Sequence, residues 1–302
     1  MKRICFSCVV TLCTMLFVMS SSCSKDNSLK LPEEKIESSE LVQTLESVNN
    51  DFMANNQEVR GTGWKKKFLR VLGVAAADIM GGYEVGKIGA QIGALAGPKG
   101  AAAGAVIGGT IGAVGSSYTA YCGMRNATMN EDYPLVISAY SYMQENKELK
   151  SLVASEGIAL QIPKEYKRPI EAGIEHNLML SLLREKSAHL STHTNQLSKF
   201  ERTVTESSEF KEAYNKCIER AKAITFVPRE ASENEIGQKV MNLFLKIYSN
   251  YPQNQTDVND IINKYISVIE PSTELSKEEK ELIYSSLSVA AYSFKYWETT
   301  LP

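Results

Sequence analysis

Apolar residues recur at spacings of three and four along most of this chain, which is the repeat of a helix with one buried face. The first such stripe predicts a short amphipathic helix within residues 41–60, and Gly61-Thr62-Gly63 breaks it. The stripe consists of Leu41, Val42, Leu45, Val48 and Phe52.

The C-terminal part of the chain shows the same repeat. Two sites match a capping box, in which a hydroxyl residue is followed three positions later by glutamate: Ser232 with Glu235, and Ser276 with Glu279. Each precedes a long apolar stripe, and Thr256 is the expected cap of a helix between them. Because no convincing alternating run is present, the pattern predicts an all-α fold that ends in a helical bundle.

Glycine is concentrated in residues 71–124, which hold 14 of the chain's 19 glycines. Many lie four positions apart, and such positions share one face of a helix. Each interior glycine costs about 1 kcal/mol relative to alanine, so the run favours a face against which a second helix packs closely. The predicted helix-packing residues are Gly82, Gly86, Gly89, Gly93, Gly97, Gly100, Gly104, Gly108 and Gly112.

The segment Pro98-Lys99-Gly100 interrupts this run and predicts a turn. We therefore expect two antiparallel helices, at about residues 71–96 and 101–121, that form a glycine-zipper helical hairpin.

Two environments suit this hairpin. From Ala101 to Met124 there is no charged residue, and about 20 apolar residues suffice to span a bilayer. The first helix, however, carries Asp78, Glu84 and Lys87, of which the last two are spaced to pair with each other. The alternatives are membrane association and a close-packed hairpin within a soluble helical domain.

The first residues have the layout of an export signal. Lys2 and Arg3 precede an uncharged, largely apolar stretch, and three serines lead to Cys23. This predicts lipidation of Cys23 in a lipoprotein, with an ordinary cleaved signal or an uncleaved anchor as alternatives. The expected location is the cell envelope, at the outer membrane.

These features divide the chain into four parts. Residues 1–22 are the signal peptide, 23–63 the lipidated N-terminus with a polar tether and the short helix, 64–124 the hairpin, and 125–302 the helical domain. At the start of the hairpin lie Trp64, Lys65, Lys66 and Lys67. This cluster is either a membrane-interface anchor or a solvated start of a helix.

Composition narrows the class of partner. The net charge is −2 and the pI about 6.1, which argues against nucleic-acid binding. Outside the signal and Cys23, only Cys122 and Cys217 remain. They are either a disulfide pair, as export permits, or two buried small apolar residues.

Candidate chemistry is sparse. The segment from Gly81 to Ile88 nearly matches a phosphate-binding loop, but Ile88 stands where a magnesium-binding hydroxyl is needed. His189 and His193 share the spacing of two metal ligands without a third. His176 beside Asn177 favours a structural pair; convergence of both with a carboxylate in a concave pocket would indicate an enzyme instead. We predict no enzymatic activity, no cofactor and no metal.

Three segments together carry a resemblance: Ala77-Asp78 to Ser116-Ser117, Gly173 to Leu178, and Leu275 to Trp297. On these, the chain resembles exported, lipoprotein-like proteins of the Bacteroidota that combine a bacteriocin-like glycine-zipper segment, a His-Asn motif and a helical C-terminal part. The resemblance implies an exported, helical protein and adds no catalytic residue.

The sequence therefore predicts a lipid-anchored envelope protein with a structural or partner-binding role. Its partners would be a membrane, reached by the anchor and by the hairpin, further copies of the chain, or another protein. The alternative is a toxin-like or pore-forming protein whose hairpin enters a target membrane.

Overall fold

A computed structural model describes residues 39–54, 65–124, 133–166, 168–185, 190, 196–222 and 235–301. Throughout these residues the regular structure is helical and contains no strand, which confirms the predicted all-α fold. The helices are α1 (Glu40–Ala54), α2 (Lys65–Gly93), α3 (Pro98–Met124), α4 (Tyr133–Glu145), α5 (Arg168–Glu185), α6 (Lys199–Thr205), α7 (Ser208–Lys222), α8 (Ile236–Tyr248), α9 (Gln255–Ile269) and α10 (Lys277–Thr300), with 3₁₀ turns at Ala94–Ala96 and Lys147–Leu152.

Helices α2 and α3 form the predicted hairpin, but the turn lies at residues 94–97, before the predicted turn segment Pro98-Lys99-Gly100. Gly97 adopts the positive φ of 84° that reverses the chain, a conformation that glycine accepts readily. Pro98 is already the first residue of α3, where its missing N–H leaves no helical bond unmade. The proline therefore starts the second helix rather than making the turn.

The hairpin lies at the centre of the helical body. Helix α10 packs against α2, α3 and α5, while α7 packs against both helices of the hairpin. On the outer side, α8 and α9 connect α1 to this centre. Nearly all of α3 is buried as a result, including its polar residues Thr110, Ser116 and Ser117.

Helix α3 is the one helix, within the part of the chain described, that is long and apolar enough to cross a membrane. In this fold, 83% of its most apolar 18-residue window is buried inside the protein. Core helices of soluble proteins have the same composition, so the burial accounts for the hydropathy without a bilayer.

Two of the predicted helix starts can be compared with the structure. Ser276 and Glu279 form the expected capping box at the start of α10. The cap of α9 was predicted wrongly, because Asn254 rather than Thr256 accepts the backbone N–H of Asp257. Asparagine and threonine are both good caps, and only the course of the preceding loop decides between them.

One capping box was not predicted, and one predicted capping box lies partly outside the described residues. A second capping box, Ser198 with Glu201, starts α6 and was not anticipated. Ser232 is not among the described residues, and α8 begins at Ile236 after Glu235 without a side-chain cap.

Candidate functional site: a glycine hairpin and its buried polar cluster

The two hairpin helices meet backbone to backbone. A Cβ atom added at Gly89 would lie under 3.0 Å from the carbonyl oxygen of Gly104, and one added at Gly104 would lie equally close to that of Gly89. Gly93 and Gly100 show the same reciprocal contact. No side chain larger than hydrogen fits at these positions unless the two backbones move apart.

The other predicted packing glycines differ in what they face. A Cβ at Gly108 would meet the backbone of Val85, and one at Gly112 would meet that of Gly81. At Gly86 it would meet a side chain of α10, that of Leu282, at 2.6 Å. Gly82 is looser, with its nearest neighbour, the carbonyl oxygen of Gly109, at 3.2 Å.

Two glycines correct the predicted set. Gly97 does not belong to the packing face, because it forms the turn and a Cβ there would meet nothing within 4 Å. Gly81 was missed, although a Cβ there would lie under 3.0 Å from Ser116 and from the carbonyl oxygen of Gly112. Its neighbour Gly82 fits the four-residue spacing better in the sequence, and only the rotation of the helix distinguishes the two.

A buried polar cluster joins α2, α5 and α10 beside the hairpin. Ser293 donates a hydrogen bond to Oδ2 of Asp78, and Nε2 of His176 lies 3.4 Å from the same oxygen. The side chains of Asp78 and His176 have no exposed surface. The second oxygen of Asp78, Oδ1, is buried and accepts no hydrogen bond from the described residues.

The other ring nitrogen of His176 contacts Asn177. Nδ1 of His176 and Oδ1 of Asn177 are 3.0 Å apart, and Nδ2 of Asn177 donates to the carbonyl oxygen of Tyr292 at 2.9 Å. Because Oδ1 of an amide only accepts, Nδ1 of His176 carries the proton in this contact. The predicted His176–Asn177 pair therefore serves to fix α5 against α10.

The three segments that carry the family resemblance are the ones that meet here. Trp297 of the last segment donates its indole N–H to Ser117 of the first, at 3.0 Å. A Cβ at Gly173 of the middle segment would lie under 3.0 Å from Tyr292 and from Ser288, so this glycine lets α5 approach α10 closely. Residues far apart in sequence thus build one buried junction.

We find no match when the chain is compared with protein-family models, with curated proteins and with solved structures. The arrangement of the side chains is therefore the basis for assigning a function.

The cluster has the composition that would indicate an enzyme, but not the access. A carboxylate, an imidazole and a hydroxyl converge, yet Ser293 donates to Asp78 rather than to His176. A serine nucleophile needs the imidazole as its proton acceptor. The side chains of His176 and Asp78 have no exposed surface, so the group is closed to solvent and links three helices through the core.

A second buried carboxylate, that of Glu175, lies on α5 directly before His176 in the sequence. Glu175 pairs with Lys150 at 2.5 Å and accepts a hydrogen bond from Thr110 of α3 at 3.4 Å. Burial raises the pKa of the Glu175 carboxyl, and the positive charge of Lys150 opposes that shift. Glu175 thereby connects the 3₁₀ turn Lys147–Leu152 to the hairpin.

Glu84 and Lys87 of α2 pair with residues outside the hairpin, not with each other as predicted. Glu84 binds Arg220 of α7, and Lys87 binds Glu235 at 2.7 Å. These pairs border a surface cavity of about 650 Å³ between α2, α7 and Glu235. The helical spacing permitted an internal pair, but α7 brings a guanidinium closer.

Cys122 and Cys217 of the helical body form no disulfide in the described structure, and both are buried. Cys217 donates its S–H to Glu84 at 3.6 Å. Burial, and then the negative charge of Glu84, raises the pKa of this thiol well above its ordinary value, which disfavours the reactive thiolate. The alternative of two buried small residues holds, and the alternative of a disulfide is wrong.

Several residues that the sequence analysis considered for a function lie outside the described part. These are Cys23, Trp64, His189 and His193. Lys65, Lys66 and Lys67 begin α2, but their side chains are not described. Among the described residues, no group of three His, Cys, Asp or Glu side chains is placed to hold a metal ion.

Proposed function

We propose that this chain is a lipid-anchored protein of the bacterial cell envelope with a structural or partner-binding role rather than an enzymatic one. The anchor is Cys23, and the outer membrane is its location. The helical body formed by residues 39–301 is the part that meets partners, and the glycine hairpin is its internal spine.

The burial of the hairpin is the observation that supports its structural role. Both hairpin helices are covered by α7 and α10, α5 packs on α3 as well, and α3 is buried along nearly its whole length. Glycines whose backbones touch gain close packing within the protein, which offsets their poor helix propensity. The zipper thus supports helix packing, and the anchor supplies attachment to the membrane.

Fractionation of cells that express variants of the full chain tests the anchor. Cys23→Ser should lose incorporation of a fatty-acid label and leave the membrane fraction, because the acceptor thiol is gone. Cys13→Ser is the matched control, since Cys13 lies inside the signal segment. Equal labelling of Cys23→Ser and wild type would contradict the proposal.

A second candidate is a pore-forming protein that releases its hairpin into a target bilayer. Two observations favour it: α3 is long and apolar enough to cross a membrane, and Gly89 with Gly104, like Gly93 with Gly100, packs within the hairpin itself. The zipper contacts would survive such a release, because they lie between the two hairpin helices.

Release of dye from anionic vesicles, measured at pH 7 and pH 5, tests this second candidate. Leakage that rises with the protein concentration supports it. Intact vesicles at both pH values contradict it and leave the lipid-anchored body as the remaining function.

A further inference from the structure

The closed end of the hairpin is an exposed apolar tip, which we define as residues 94–99. Leu95 is 89% exposed, more than any other large hydrophobic residue of the described chain. Ala94, Ala96 and Pro98 are exposed as well. The 3₁₀ turn Ala94–Ala96 has substantial contacts only with α2 and α3 among the described elements, so the tip extends beyond the surrounding helices.

The tip is held in a fixed shape although it is exposed. Immediately behind it, the backbones of Gly93 and Gly100 touch. The N–H of Gly97 donates to the carbonyl oxygen of Ala94 at 2.9 Å, and the N–H of Ala101 donates to that of Gly97 at 3.0 Å. A tip fixed in this way loses little conformational entropy when it binds a partner or a membrane.

The hairpin carries charge of one sign near its tip. Lys99 is exposed and is the only charged residue of the tip. The sequence has no Asp or Glu between Glu84 and Glu131, so the hairpin contributes no negative charge near this end. An apolar leucine beside a lysine suits the boundary of an anionic bilayer, with leucine among the acyl chains and lysine at the phosphates.

The size of the tip also bears on its occupant. Stable protein interfaces bury about 800 Å² on each partner, which involves roughly 20 residues or more. Six residues at the end of a hairpin fall well short of that, whereas one exposed leucine suffices for a supplementary membrane contact. A lipid anchor on the same chain would keep a bilayer at high local concentration.

We propose that the hairpin tip is a second membrane contact, in which Leu95 enters the interface of an anionic bilayer and Lys99 binds lipid phosphates. This inference rests on the proposed lipid anchor for its biological setting. Together, the two contacts would orient the helical body relative to the membrane.

Tryptophan fluorescence in the full chain with vesicles tests the contact directly. The variants are Leu95→Trp and, as a matched control, Leu152→Trp, because Leu152 is 76% exposed in a 3₁₀ turn that packs on α4 and α5 rather than on the hairpin. Both variants retain Trp64 and Trp297, so the difference between them reports the introduced side chain. We expect brominated phospholipids in anionic vesicles to quench the emission of Leu95→Trp and to leave that of Leu152→Trp largely unquenched.

Equal quenching of the two variants, or none in either, would overturn the proposal. A blue shift of Leu95→Trp that depends on protein concentration without vesicles would also overturn it, by assigning the tip to a second copy of the chain. In a chain carrying Cys23→Ser, Leu95→Glu should weaken binding to anionic vesicles by about tenfold or more, and Leu152→Glu should not.

The two proposals fail separately. Fatty-acid labelling of Cys23 without quenching at position 95 would support the lipid anchor and contradict the tip contact. Quenching at position 95 without labelling of Cys23 does the reverse.

Discussion

Ser293 donates a hydrogen bond to Asp78 across 215 positions of the chain, and this contact joins the last helix to the first helix of the hairpin. His176 approaches the same carboxylate from α5. Burying a carboxylate is favourable only when its partners remain in place. The cluster therefore makes the position of the hairpin depend on two other helices at once.

Removal of the carboxylate should destabilise the fold strongly. Asp78→Ala leaves the hydroxyl of Ser293 without its acceptor in a closed core and removes the carboxylate that His176 faces, so the free energy of unfolding should fall by about 3 kcal/mol. Chemical denaturation followed by circular dichroism measures it. Asp260→Ala, at an exposed acidic position, is the control and should change stability by less than about 0.5 kcal/mol. Similar losses in the two variants would argue against a special role of Asp78.

Glycine-to-alanine substitutions in the hairpin should have opposite effects at two positions. Gly104→Ala forces a Cβ against the backbone of Gly89, so it should lower the free energy of unfolding by about 1–3 kcal/mol. At Gly73 of α2, by contrast, a Cβ meets nothing within 4 Å. Gly73→Ala should therefore raise stability by up to about 1 kcal/mol through helix propensity. Thermal melts of both variants check the signs, and a loss of stability in both would show that backbone contact is not what distinguishes Gly104.

The contribution of Glu175 to stability should decrease as the pH rises. Burial holds the pKa of this carboxyl above its unfolded value, so the folded state binds the proton more tightly than the unfolded state does. Its contribution is fully present below the unfolded pKa and is lost as the pH rises through the folded pKa.

Unfolding free energies of wild type and Glu175→Gln between pH 4 and pH 7 measure this effect. The difference, wild type minus variant, should fall with rising pH. Glu148→Gln, at an exposed position, controls for the change in net charge. A difference that rises with pH would mean that Lys150, rather than burial, dominates at Glu175.

The two buried thiols should react only after unfolding. Both Cys122 and Cys217 are enclosed, and burial raises the pKa of Cys217 further from the range in which thiolate forms. Alkylation of the exported protein under native conditions should leave both unmodified, and alkylation in denaturant should modify both. Mass spectrometry of the two samples reads this out. A disulfide between them in non-reducing peptide maps would contradict the structure.

Much of the fold followed from local patterns. The three- and four-residue spacing of apolar side chains indicated helices, and Ser276 with Glu279 marked the start of the last one, because caps act within a single turn. The four-residue glycine spacing indicated a close-packed hairpin, since it places hydrogen in place of side chains on one face. The spacing did not identify every residue of the packing face. Gly81 belongs to that face and Gly97 does not, because the rotation of a helix depends on what it packs against.

The partners of the polar residues came only from the tertiary structure. Nothing local pairs Asp78 with Ser293, or Glu84 with Arg220, because these contacts form when distant helices meet around the hairpin. The environment of the hairpin was likewise undecided in sequence, since alanine and glycine suit a protein core and a close-packed membrane segment alike. In the folded chain its apolar surface is covered by the protein's own helices, and that covering depends on long-range packing, which no local pattern records.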